Sequence, residues 1–252
     1  MRDEFKTWVS QLDRSLPKLR AIQQTLVDSR PGTGFTVETP VVYNEALDDL
    51  GPESEPHLIL VADNPGRREQ AAMNRRYLVG PSGKLADGFF RSHPELGIDF
   101  YKNVIILNKT PIHTPRTAEL RELMRLGGPE IAKAVVESQR KMADLIYRVH
   151  IALGSAQLWI IGYSELGKGK LFETFSDALA RTYGADAGRG GVAGNIFLFR
   201  HFSMNQFSAD IRKRTMEGES SGAALQRIGS YYRNRELGTR YPIFMHGIVD
   251  GV

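Results

Sequence analysis

Four short apolar runs, at residues 58–62, 104–107, 158–161 and 196–199, constrain this chain more than anything else in it. None alternates cleanly between apolar and polar, which is the pattern of strands buried on both faces. Helical periodicity fills the intervals. Residues 82–92 place Leu85 and Phe89 on one face. Residues 129–153 open with Pro129, suited to a first helical turn. Residues 166–183 bring Phe172, Phe175 and Leu179 together. Strands alternating with helices predict a parallel sheet with right-handed crossovers. The expected fold class is α/β: three layers, α/β/α, around a short, mainly parallel four-stranded central sheet, with helical extensions.

A length of 252 residues suits a single domain better than two independent cores. The expected core is about 57–216, with an N-terminal helical extension over 1–56 and a C-terminal helix and tail over 217–252. Trp8, Leu12, Leu16, Leu19, Ile22 and Leu26 recur at helical steps, with Pro17 expected to kink or split the helix over 3–29. Residues 30–56 are rich in Gly and Pro and read as loop, with one edge strand around 35–42. The Gly-rich stretch 184–195 reads as a flexible connection and EGESSG at 217–222 as a hinge before a short helix over 223–235.

Composition narrows the chemistry. Cysteine is absent, which excludes disulfides, zinc–thiolate sites and Cys-ligated clusters. His57, His93, His150 and His246 lack metal-ligand spacing. The expectation is no metal and no cofactor. No run approaches the roughly 18 apolar residues of a membrane span, and the N-terminus has no secretory pattern. The expected protein is a cytoplasmic monomer, nucleoid-associated if bacterial. Net charge is only +4. The basic residues are clustered, however. Arg67, Arg68, Arg75, Arg76, Lys84 and Arg91 lie in one segment, and Arg200, Arg212, Lys213 and Arg214 in another. Such clusters attract a polyanion or simply solvate a surface.

Three segments at strand ends carry the candidate chemistry: VADNPG (61–66), VIILNKTP (104–111) and RHFS (200–203). In an open α/β sheet the carboxyl ends of the strands are where ligands bind. Pro65 and Gly66 force a sharp turn that holds Asp63 and Asn64 at one such end; DNPG is also an ordinary turn signal. RYLVGPSGKL (76–85) superficially suggests a phosphate-binding P-loop. The pattern fails, because the required Gly and Ser/Thr positions hold Leu78 and Leu85. A helix opening at Ser82 still offers backbone N–H groups to a phosphate.

Together these segments resemble the uracil-DNA glycosylase superfamily. VADNPG is similar to its water-activating motif and VGPSGKL to the VGxxGxL stretch that follows. VIILN resembles the strand ending in the base-reading Asn, LWIIG (158–162) the strand before the last crossover, and HFS the HPS motif. Order and spacing agree over roughly residues 57–210. The resemblance implies that Asn64 positions water, with Asp63 at the place of the acidic residue in another branch. It implies that Asn108 hydrogen-bonds the base edge and that His201 stabilises charge on the leaving base. Gly66 would line the substrate site. Ser203 would make a backbone or phosphate contact with DNA. Independently of the resemblance, the basic clusters, with Lys84, Arg212 and Lys213, are expected to hold DNA phosphates, and Phe202, Met204 and Phe207 are either apolar wedges into DNA or core.

The residue types suit the chemistry. Cleaving an N-glycosidic bond leaves an oxocarbenium-like sugar and an anionic base, and a donor near that base stabilises charge that develops in the transition state. A carboxamide orients water but is a poor base, so Asn64 alone implies slow turnover and Asp63 would supply a base if it faces the pocket. Asn108 would reject bases whose edge leaves its amide unpaired. Extruding the nucleotide costs less from single-stranded or mismatched sites.

Three departures from the family pattern stand out. Ala62 replaces the usual Gly. Leu78 falls where an aromatic residue stacks on the base, with Tyr77 adjacent as a substitute. Phe202 replaces Pro in the third motif. The expected function is a DNA glycosylase that flips out and excises uracil or a related damaged base. The rival is a catalytically weak or inactive DNA-binding module on the same scaffold. His113, behind Asn108, is either a pocket residue or a loop histidine, and Trp159 is expected in the core.

Overall fold

A computed structural model describes residues 1–30, 32, 34–185 and 192–245. The four apolar runs form β1 (Leu58–Ala62), β2 (Val104–Asn108), β3 (Gln157–Ile161) and β4 (Ile196–Phe199). All neighbours pair parallel, in the order β2-β1-β3-β4. Every residue of β1 and β4 is buried, so helices must cover both faces of the sheet. The fold is a three-layer α/β/α sandwich.

Around the sheet run α1 (Arg2–Ser15), α2 (Leu19–Asp28), α3 (Pro81–Ser92), α4 (Glu119–Leu153), α5 (Glu173–Ala185), α6 (Gln206–Arg214) and α7 (Ser221–Arg233). Pro17 separates α1 from α2, as its missing N–H and ring sterics require. α4 is broken at Gly128, whose φ of 67° and ψ of −165° are not helical. Pro129 therefore opens the longer piece, as anticipated, while the turns from Glu119 up to the break were not foreseen. Among the described residues no helix is long and apolar enough to cross a membrane.

Several expectations need correction. The edge strand over 35–42 is reduced to a single antiparallel bridge, Val41 to Ile112; Pro40 supplies only carbonyl bonds there, to His113 N and Gln23. The third crossover helix starts at Glu173, seven residues later than expected, because Tyr163–Glu165 form a 3-10 turn and 166–172 a tight turn. Of the Gly-rich connection, 186–191 lie outside the described residues, and Val192–Asn195 form a 3-10 turn. The expected hinge at 217–222 is tied down: Arg227 pairs with Glu219 at 2.7 Å, and Ser220 caps α7 through Ala223 N. α7 starts two residues earlier than predicted and runs into a π-turn, Asn234–Gly238. His246 lies outside the described residues.

An aromatic cluster fixes the region beneath the strand ends. Trp159 packs against Phe90, Phe199 and Phe207 at ring distances of 5.7, 4.8 and 5.9 Å. Phe202 stacks on Phe207 at 4.2 Å, and both are fully buried. Burying each such side chain contributes about 1.5–3 kcal/mol.

Candidate functional site

The sheet order reverses direction at β1, whose chain continues to β2 on one side and to β3 on the other. A crevice opens outside the carboxyl ends of the strands at such a switch point. Here it is a cavity of about 900 Å³, lined by Asp63 and Asn64 after β1, Asn108 at the end of β2, Tyr163 after β3 and His201 after β4. The three remote motifs thus meet in one place. Gly66, Leu78, Ser203 and Met204 also line it.

Asn64 is held in one orientation. The Thr114 hydroxyl donates to Arg116 O at 2.9 Å, so its oxygen is left to accept. Asn64 Nδ2 donates to that oxygen at 2.9 Å, with Pro65 O and Thr114 O at 3.3 and 3.4 Å. Every neighbour of Nδ2 is an acceptor, which fixes the amide and leaves Oδ1 as the end that can accept from water.

Asn108 is only 2% exposed, and its carboxamide makes no hydrogen bond within the described residues. The amide opens onto the cavity, where a ligand or water can pair with it. Register pairs Asn108 with Ala62, at the mouth of the turn that carries Asn64.

His201 is a neutral imidazole of defined tautomer. Ser203 N–H donates to Nδ1 at 3.0 Å, so the ring proton sits on Nε2. Burial lowers its pKa; Asp63 opposes that shift and Lys109 adds to it. Ser203 therefore acts first through its backbone on His201. The loop is anchored by packing: Phe202 is a buried member of the aromatic cluster. Phe202 and Phe207 are core, not wedges. Met204 is 83% exposed and stands at the cavity with φ 52°.

Asp63 faces the cavity but is fully engaged. Its Oδ1 pairs with Lys109 Nζ at 2.5 Å and its Oδ2 accepts from Thr117 Oγ1 at 3.2 Å. Lys109 is completely buried, donates also to Ile161 O at 2.6 Å, and lies 5.1 Å from the Phe172 ring centroid. Burial pushes the Lys109 ammonium down, against the pull of Asp63. Gly162 follows β3 with φ 78°, and a Cβ there would lie 2.8 Å from Asp63 Oδ1. Asp63 as a free base is therefore corrected: it is half of a buried ion pair.

Tyr77 is also corrected. It is 2% exposed, points away from the cavity and donates its hydroxyl to Val42 O at 2.6 Å. Leu78 takes the wall, with φ 53°. The turn is so tight that a Cβ on Gly83 would sit 1.3 Å from Leu78 O, which explains the glycine in GPSGKL. His113 lies outside the cavity, buried, with Nδ1 on Pro65 O at 2.8 Å.

The basic clusters are redistributed. Arg75, Arg76 and Arg91 pair with Glu45, Asp49 and Asp87. Lys84, Arg212 and Lys213 are exposed and do not line the cavity. Its rim carries Arg116, Arg121, Arg200 and Arg235 instead. Arg121 pairs with Glu165 at 3.1 Å and Arg200 with Asp210 at 3.4 Å. Arg235 packs over Tyr163 and Tyr232, 5.8 and 5.2 Å from their ring centroids, so the C-terminal extension reaches the site.

Sequence reasoning missed Lys109, Thr114, Glu69 and Arg235. A Lys directly after the last strand residue was the available signal for the first. The others depend on tertiary contacts. Among the described residues no group of three or more His, Asp or Glu is placed to hold a metal ion. Neither a protein-family model nor a curated protein matches this sequence.

Proposed function

We propose that this chain is a monofunctional DNA glycosylase that hydrolyses the N-glycosidic bond of uracil or a related damaged base. The observation that carries the reading is the convergence of Asn64, Asn108 and His201 on one cavity, with the Asn108 amide left unpaired. In this reading the extruded base enters the cavity and pairs with the Asn108 carboxamide. Asn64 Oδ1 orients a water toward C1′. The C1′–N bond breaks, its electron pair goes to the base, and the Nε2–H of His201 stabilises the resulting charge. The rim arginines hold phosphates.

A second reading is favoured by the Asp63–Lys109 pair and by Leu78: a DNA-binding module with weak or no catalysis. Uracil-containing single- and double-stranded oligonucleotides, followed by alkali, separate the two. The enzyme gives strand scission that is lost in Asn64→Ala and His201→Ala. Binding without scission across a panel of damaged bases supports the module. Affinity that falls steeply with salt argues against a substrate as small as a free nucleoside.

A further inference from the structure

Asp63, Glu165 and Glu69 all line the cavity; Glu165 pairs with Arg121 at 3.1 Å, and nothing in the proposed chemistry has used Glu69. It is 9% exposed and has no cationic partner among the described residues. Its Oε2 accepts the Gly66 N–H, two residues after Asn64. The backbone N–H of Leu78 also hydrogen-bonds this carboxyl group. Asp63, by contrast, is tied to the Lys109 ammonium and the Thr117 hydroxyl. Asn64 has its amide locked with Oδ1 free to accept. The cavity therefore offers one acceptor that can orient a water and one carboxylate, Glu69, that no cation among the described residues neutralises and that can take its proton.

We infer that Glu69, and not Asp63, is the general base of this site. The step rests on the glycosylase reading and balances as follows. The water oxygen bonds to C1′ as the C1′–N bond breaks. The bonding pair leaves with the base, facing His201 Nε2–H. One water proton passes to the Glu69 carboxylate, which then returns it to the departed base or to solvent. Burial raises the Glu69 pKa, while the backbone N–H groups of Gly66 and Leu78 oppose the shift. A base held nearer the working pH transfers protons more effectively than an ordinary carboxylate.

The groups around Glu69 leave its titration readable. The Tyr77 phenol is held well above its ordinary value and stays neutral. His113, on the far side of Pro65, is pushed down to about 4. Across the cavity stand the Asp63–Lys109 pair, His201, Tyr163, Glu165 paired with Arg121, and Arg116, Arg200 and Arg235.

Glu69→Gln keeps an oxygen for the Gly66 N–H and removes the base. Single-turnover cleavage should be measured from pH 4.5 to 9 on the lesion that the wild type cleaves best. The expected result is a loss of about 10²-fold or more in rate at unchanged substrate affinity, with the acidic limb abolished. Formate or acetate should restore part of the rate to Glu69→Ala. A Glu69→Gln variant with wild-type rate and limb makes Glu69 a loop clamp and overturns the inference alone. If Glu69→Gln does not fold, absence of rescue in Glu69→Ala does the same. Wild-type protein without scission on any lesion overturns the glycosylase reading and this one together.

Discussion

Lys109 Nζ and Asp63 Oδ1 lie 2.5 Å apart, at the carboxyl ends of adjacent strands and beneath the floor of the cavity. The lysine has no exposed side-chain surface. Such a pair is not a strong net stabiliser, because desolvation offsets its attraction. Breaking it is another matter. Lys109→Met leaves a carboxylate facing apolar surroundings and should cost about 3–5 kcal/mol in urea unfolding. Adding Asp63→Asn removes the orphaned charge and should recover a large part of that loss. A cost below about 1 kcal/mol for Lys109→Met would mean that the pair does not organise the strand ends.

Thr114 sets the direction of the Asn64 amide, since its only proton is committed to Arg116 O. Thr114→Val removes the acceptor that Nδ2 needs. With about 1 kcal/mol lost in orientation, the turnover number should drop roughly fivefold while KM stays put. Thr114→Ser should behave as wild type. Asn64→Asp should not raise activity: a carboxylate there would face the Thr114 oxygen and the carbonyls of Pro65 and Thr114. A gain in rate at Asn64→Asp would disprove this account of the amide. These effects are read in single-turnover assays.

Buried histidines set the pH dependence of stability. His113 and His150 are both pushed down to about 4 by burial, and His201 is lowered as well. The unfolded chain binds protons at His113 and His150 near the ordinary value of 6.5, whereas the folded chain does not until well below it; His201 shifts in the same direction. Stability is therefore full above pH 6.5 and falls as pH drops toward 4, by about 1.4 kcal/mol per pH unit for each fully buried ring. Glu69 acts in the opposite sense, because its raised pKa favours the folded state as pH falls toward the ordinary carboxylate range. Asp13, half-buried and also raised, acts with Glu69, but the two fully buried rings, with His201 in the same sense, leave a net loss. Calorimetry should show a melting temperature that declines from pH 7 to pH 5; a flat profile would contradict burial of the rings in neutral form.

The sheet was legible because each strand is a compact apolar run bounded by turn residues, and all four lie within a residue of their expected limits. The meeting of Asn64, Asn108 and His201 was legible because parallel strands deliver their carboxyl ends to one edge. Tyr77 was not, since one residue of register in a tight turn decides which of two neighbours faces the cavity. Lys109 and Asp63 were not, because a buried pair is written in sequence as two unremarkable charges 46 residues apart. The late start of α5 followed from a turn that holds its apolar residues at helical spacing without being helix; Leu171 and Phe172 are buried before it begins.

Met204 supplies the last test. It is exposed, stands at the cavity mouth beside His201, and adopts φ 52°, followed by Asn205 at φ 56°. A methionine in left-handed backbone conformation costs energy unless the surroundings impose it. Here Phe202 and Phe207 clamp the loop from below on both sides. An apolar side chain held outward in this way can enter the gap that an extruded nucleotide leaves in a duplex. Met204→Ala should then slow cleavage of a well-paired duplex by at least tenfold. It should leave single-stranded substrate within about twofold, because there is no stack to replace there. Met204→Gly relieves the backbone strain and should melt no lower than wild type. Equal losses on single and double strands would place Met204 in the pocket wall and remove it from the duplex contact.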